Sequence, residues 1–199
     1  LDHIKAGLTD AGFREGRTPG TTSSALWVEE YPNGGNGWEL GRAEMTIVSA
    51  ATGTTPEPVF DPVIDYIALC MNSFSTPADG VTAPLVYVGT GTDAASYASV
   101  DVKGAVVLGD GGMRGLFEQA VRQRGAIGVI TAAPPSHYTR PDDTPEVFEW
   151  GSVPYDEKAH AFGFKASRKV AERLKARLRA GALTVQTVVE TSFRPASPG

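Results

Sequence analysis

The chain has 199 residues, 41% hydrophobic and 21% charged, with a formal net charge of -5. These values describe a globular chain rather than a disordered one, long enough for one large domain or one domain with an appendage. They advertise no basic surface, so nucleic acid is not an expected partner. Apolar runs such as Ala105 to Leu108 are too short to span a bilayer.

Asp2 to Phe13 spaces Ile4, Leu8 and Ala11 at near-helical intervals, with Gly12 as the stop. Arg14 to Ser24 is polar and predicts a loop. Ala25 to Tyr31 predicts a strand around Trp27, and Pro32 to Gly37 a tight turn. Trp38 to Ser49 predicts the returning strand, with Ala43, Met45 and Ile47 on one face. Residues 1–50 therefore predict a helix plus a two-stranded ribbon.

Pro56, Pro58 and Pro62 make Thr52 to Asp65 extended or irregular. Cys70, the single cysteine, sits among apolar neighbours from Tyr66 to Met71 and reads as a buried structural thiol rather than a nucleophile. Asp79-Gly80 marks a turn, and Ala83 to Gly89 a strand around Leu85, Val86 and Val88. Thr90 to Ser99 is polar, with no catalytic pattern.

The centre of the chain is its most informative part. Val102 to Leu108 predicts an apolar strand, Gly109 to Gly112 a corner, Leu116 to Arg124 a one-faced helix, and Gly125 to Ile130 a second apolar strand. Ala133 to Pro154, rich in proline and acid, predicts a long exposed loop. Ser167 is placed to cap a helix with Val170, Leu174 and Leu178 on one face and Gly181 at its end. Arg168, Lys169, Arg173, Lys175, Arg177 and Arg179 lie around that helix and read as a solvated face. Leu183 to Phe193 predicts a strand whose apolar face, Leu183, Val185, Val189 and Phe193, is broken by Thr187 and Thr191.

Tested for chemistry, the chain offers little. Gly109, Gly111 and Gly115 form a G-x-G-x-x-x-G corner between strand and helix, an arrangement that can cradle a phosphate or simply pack closely. The next strand runs into Thr131 to Pro135 without the acid that holds a ribose, and no Lys-Ser or Lys-Thr follows the glycines. The close-packed turn is the preferred reading. His3, His137 and His160 have no paired ligand spacing. Asp142, Asp143, Glu146 and Glu149 supply oxygen ligands for calcium but in no calcium-loop order, which favours a solvated acidic loop. There is no G-x-S-x-G elbow, and a distant pair such as His137 and Asp101 does not make a triad.

Leu85 to Gly89, then Val100 to Leu108 with its Lys103-Gly104, then Gly125 to Ile130, in that order, resemble the protease-associated domain. Ser73 to Val81 resembles the lead-in found in zinc aminopeptidases that carry this domain within their peptidase unit. Gly163 to Ser167, with the helix and strand that follow, resembles the return to the catalytic domain. The resemblance covers most of Ser73 to Phe193. It departs at Asp110 to Gly115, where many members carry a cysteine or an Arg-Gly.

The resemblance implies an α+β fold: a β-rich open barrel or sandwich-like sheet with two or three flanking helices, beside the N-terminal helix and ribbon. It implies a peptidase-framework segment at 1–72, a protease-associated core at 73–160, and a helix and strand at 161–199 returning toward a missing catalytic domain. The implied role is that of a lid, substrate filter or protein-interaction surface of a zinc aminopeptidase, with the neighbouring peptidase domain and a peptide or protein substrate as partners. Zinc is expected only in the missing domain, whose His-x-Asp start is nowhere in this chain, so no catalytic or metal residue is assigned here. The family implies an extracellular or cell-envelope setting, with the cytoplasm left open. Leu1 in place of Met suggests a fragment or a processed form.

The expected contact surfaces are the loops Asp110 to Gly115 and Pro134 to Trp150, with Asp110, Arg114, His137, Tyr138 and Trp150 as candidate contact residues. A stand-alone peptide- or protein-binding module is the alternative, with Tyr138, Phe148 and Trp150 either as anchors or packed on their own core. A nucleotide-using enzyme built on the glycine corner ranks third.

Overall fold

The computed structural model describes residues 2–15, 25–26, 37–50, 56–60, 65, 67–133, 145–147 and 149–194. The chain divides into two compact units, Leu1–Gly35 with Ala196–Gly199, and Asn36–Pro195. In the first, helix α1 spans Asp2–Asp10 and stops at Gly12, whose φ of +93° is open to glycine without strain. Two short strands, β1 (Arg14–Glu15) and β2 (Ala25–Leu26), pair in parallel.

The second unit is built on a mixed seven-stranded sheet in the order β4-β3-β9-β5-β6-β7-β8. Its strands are β3 (Gly37–Ala50), β4 (Glu57–Pro58), β5 (Val81–Tyr87), β6 (Val106–Gly109), β7 (Gly128–Thr131), β8 (Phe162–Lys165) and β9 (Leu183–Arg194). β5 to β8 run parallel, while β9 lies antiparallel between β5 and β3. With helices packed on it, the chain has the α+β fold expected.

β6 and, up to Thr131, β7 are apolar because both of their faces are covered. Val106, Leu108 and Ile130 enter one core, with Met45, Leu85, Phe164 and Val185. Val107 and Val129 enter the other, with Leu116, Phe117 and Val121. Helix α3 (Arg168–Ala180) covers the first face with Val170, Ala171 and Leu174. Its start is the one expected: the Ser167 hydroxyl accepts the Val170 N–H at 3.3 Å. Helix α2 (Met113–Phe117) covers the second face and continues as a π-type turn over Glu118–Arg122.

Several elements differ from expectation: β6 begins at Val106 rather than Val102, β7 at Gly128 rather than Gly125, and β1 lies in a stretch read as loop. α2 begins at Met113, three residues before the predicted Leu116, because the Met113 side chain is buried and draws the first turn onto the core. The corner is shortened to Asp110–Gly112 because Gly109 is the last residue of β6. The returning strand is present as β3, but its long partner among the described residues is β9, not the segment from Ala25.

β3 and β9 are kept in phase by two bulges, between Leu40 and Arg42 and between Ile47 and Ser49. Trp38, Leu40, Ala43 and Met45 oppose Phe193, Thr191, Val189 and Thr187, all on one face of β9. Without the extra residue at Gly41, Trp38 and Leu40 would turn to the opposite face. A β-carbon at Gly41 would stand 3.1 Å from the Glu190 carbonyl.

Candidate functional site

The parallel strands end together. Tyr87, Gly109 and Thr131 close β5, β6 and β7, and the corner after β6 folds back over the turn after β5. Asp110 N–H donates to the Gly89 carbonyl at 2.8 Å, and Gly111 N–H to Thr90 at 2.9 Å. The buried Thr131 hydroxyl donates to the Gly111 carbonyl at 2.6 Å. A β-carbon at Gly111 would stand 2.3 Å from Thr92 Cγ2, and one at Gly109 2.6 Å from Leu116 Cδ1. These glycines admit a close approach of chain to chain, and the Asp110 and Gly111 N–H groups are turned onto carbonyls rather than toward a phosphate.

The Asp110 side chain does reach outward. Its carboxylate accepts from the Tyr87 hydroxyl at 2.5 Å and from the Lys175 ammonium, which lies 5.0 Å from the Tyr87 ring centre. The hydrogen bond to Asp110 raises the Tyr87 pKa above the ordinary phenol value, with burial and the Asp110 charge adding to it and Lys175 opposing. Lys175 arrives from α3, which carries the chain from the end of β8 to the end of β5. Arg114 lies on the exposed side of α2, at the same corner.

Trp150 stands elsewhere, 64% exposed. The segment after it joins the sheet beyond β8: Leu69 bridges Phe164, and Met71 bridges Ser152. Four strand spacings, roughly 19 Å, therefore separate the line of Asp110 from that of Trp150. The structure groups Asp110 with Arg114 and sets Trp150 apart. His137 and Tyr138 lie outside the described residues, as does Phe148.

Asp142 and Asp143 lie outside the described residues, and several other candidates have structural employment. Asp101 accepts the Lys103 N–H at 2.9 Å and so shapes the turn before β6. Glu146 and Glu149 pair with Lys169 and Lys165. Cys70 is fully buried, and burial pushes its thiol up to about 12, against a small opposing pull from Lys165. Around α3, Arg168 pairs with Glu172, Lys175 with Asp110, and Arg173 and Arg177 with Glu57. Among the described residues no three His, Cys, Asp or Glu side chains converge to hold a metal ion, and no helix is long and apolar enough to cross a membrane.

Sequence reasoning missed Tyr87 and Lys175 as partners of Asp110. It also missed a cleft of about 230 Å³, lined by Leu40 to Glu44 of β3 with Phe60, Leu69 and Phe164. The Phe60 and Phe164 rings stack there at 4.9 Å.

Neither a protein-family model nor a curated protein matches the sequence. Solved structures do share the fold. A peptidase M28 precursor from Shewanella amazonensis SB2B matches at a TM-score of 0.60 and 20% identity, over 98% of this chain and 42% of that one. An aminopeptidase from Aneurinibacillus sp. strain AM-1 matches at a TM-score of 0.51 and 23% identity, over 80% of this chain and 33% of that one. This chain therefore corresponds to less than half the length of either.

Proposed function

We propose that this chain is the non-catalytic, protease-associated part of a zinc-dependent aminopeptidase. It acts as a lid, substrate filter or interaction surface beside a peptidase domain. The observation that carries the reading is the match of nearly the whole chain to 42% of an M28 peptidase precursor. The order of the motifs from Leu85 to Ile130 supports it, as does the packed glycine corner, where the Asp110 and Gly111 N–H groups already meet carbonyls. In this reading zinc belongs to the neighbouring domain.

Asp110 and Arg114 form one contact surface at the strand ends, and Trp150 a second at the far edge. The test is an assay of the 199-residue chain with aminoacyl substrates and added zinc. No turnover is expected. Turnover that survives repurification and is abolished by a chelator would overturn the reading.

A stand-alone peptide- or protein-binding module is the second reading. The exposure of Trp150 favours it, because large aromatic side chains dominate binding energy at interfaces. A gene that continues into a His-x-Asp-containing domain decides for the first reading.

A further inference from the structure

β3 and β8 stand near opposite edges of the sheet, yet Phe60, just past β4, stacks on Phe164 of β8. The sheet therefore curls toward a barrel, and among the described residues it does not close. The cleft of about 230 Å³ lies in this seam, with Leu40 to Glu44 of β3 along one side and Ala68 and Leu69 along the other.

Both sides are strand edges. On β9, the Val189 carbonyl accepts the Thr76 N–H at 2.9 Å, and the Val189 N–H donates to the Thr76 hydroxyl at 3.1 Å. Thr191 makes the same two kinds of bond with the Ser75 hydroxyl, each at 2.9 Å. These groups face away from β3, so those of their register partners, Ala43 and Leu40, face away from β9. The Met45 carbonyl shows where that side leads, because it accepts the Val59 N–H at 2.8 Å. The Val59 carbonyl then turns to Arg173 at 2.6 Å, and the ladder between β3 and β4 stops before Ala43. Across the seam, the Ala68 carbonyl accepts the Lys165 N–H and the Cys70 N–H donates to the Gly163 carbonyl, both at 2.8 Å. Alternation turns the Leu69 N–H and carbonyl away from β8. Among the described residues, the outward main-chain groups of Leu40, Ala43 and Leu69 have no partner. Edges of this kind pair with a further strand unless something covers them.

We propose that the seam binds one extended peptide, which enters as a strand, pairs with β3 at Leu40 and Ala43, and meets Leu69 across the cleft. One apolar side chain of the peptide rests on Phe60 and Phe164. Outward N–H and C=O groups on both sides match the alternating donors and acceptors of a main chain. The volume suits a residue or two of a chain, since pockets for small molecules begin at about 300 Å³. Charge enters the lining with Arg42, Glu44 and Asp65, of which the first two answer each other at 2.8 Å. Recognition therefore falls to the main chain and to the rings. That the bound peptide is on its way to a peptidase site rests on the function proposed above. The binding itself does not.

Amide NMR on the 199-residue chain, titrated with the capped peptide acetyl-Thr-Thr-Leu-Thr-Thr-amide, tests it. Saturable shifts are expected at the Ala43 and Leu69 amides with peptide up to about 5 mM, while β6 amides stay in place. Methylating the leucine nitrogen removes one main-chain donor and should weaken binding roughly tenfold. Serine in place of the leucine should weaken it by a similar factor, through loss of the apolar contact. These two controls leave the protein unchanged. Ala43→Pro removes the N–H on the β3 side without touching the β9 ladder, and it should abolish the shift at Leu69. No shift at either amide, or equal binding of the methylated peptide, overturns the proposal. Ala43 and Leu69 amides already protected from exchange in the free chain overturn it as well, because a segment of the chain itself would then fill the seam. Shifts that appear on concentrating the free chain assign the seam to a second copy and also overturn it. Peptide binding in a chain that later proves to have no peptidase partner leaves the seam standing and removes only the proposed function.

Discussion

Lys175 and Asp110 join two elements that the sequence keeps far apart: the ammonium from α3 closes on the carboxylate that follows β6. The contact pins the glycine corner to the helix on the other face of the sheet. Tyr87 completes it by donating to the same carboxylate.

Asp110→Asn should lower stability only slightly, by about 1 kcal/mol or less, because the group is partly solvated. Its larger effect is on Tyr87. The folded-state pKa of Tyr87 is raised from 10.0, chiefly by the Asp110 hydrogen bond. Tyr87 therefore adds stability that is complete below pH 10 and lost as pH climbs through the raised value. In the variant the phenol should ionise at lower pH, read as a shifted component of the ultraviolet titration difference spectrum. An unchanged tyrosine titration would contradict the geometry.

Cys70 carries a stronger alkaline signature. Its thiol rises from 9.0 to about 12 through burial. The unfolded chain then gives up this proton first, and stability falls between pH 9 and 12 by about 1.4 kcal/mol per pH unit from this group alone. Cys70→Ala should flatten the fall in that window, in denaturant titrations under reducing conditions. Equal slopes for the two proteins would mean that the thiol is solvated.

Gly128 sits opposite Phe162 between β7 and β8, and a β-carbon there would stand 2.2 Å from the ring. Gly128→Ala should cost about 1–3 kcal/mol by overpacking. Adding Phe162→Leu should recover part of that, as a coupling energy in a double-mutant cycle. Gly112→Ala is the control: its φ is -62° and nothing lies within 4 Å, so a near-neutral melting temperature is expected.

Thr187 is fully buried in β9, and its hydroxyl has no hydrogen-bond partner among the described residues. Val has nearly the same shape without the stranded polar group. Thr187→Val should stabilise the chain by about 1 kcal/mol and raise the melting temperature by about 2–4 °C. A drop on calorimetry would indicate a hidden partner for the hydroxyl.

Where signals were local, the sequence was readable. Ser167 and Gly181 bracket α3 as expected, and the apolar runs of β6 and β7 follow from burial on both faces. Gly111 and Gly109 packed closely, the bland alternative for a glycine corner. What escaped was non-local. Nothing near Trp38 announces that its partner is Phe193, and the phase of Leu40 depends on a bulge that simple alternation does not contain. Asp110 was legible as a corner residue, yet its bonds to Tyr87 and Lys175 follow from the stacking of β5, β6 and α3. The exposure of Trp150 depends on where Glu149 and Gly151 are tied, which no spacing encodes.

The place of β9 also bears on how the protein is made. This strand is wedged between β3 and β5, so β3 leaves the ribosome long before its partner exists. Until Leu183 to Arg194 emerges, β3 offers Met45 and Ile47 to the solvent without their later cover, and closure of the sheet must wait for nearly the whole unit to be synthesised. Such distant pairing slows folding and lengthens exposure to aggregation, so the nascent chain should lean on chaperones until its final strand slides into the gap.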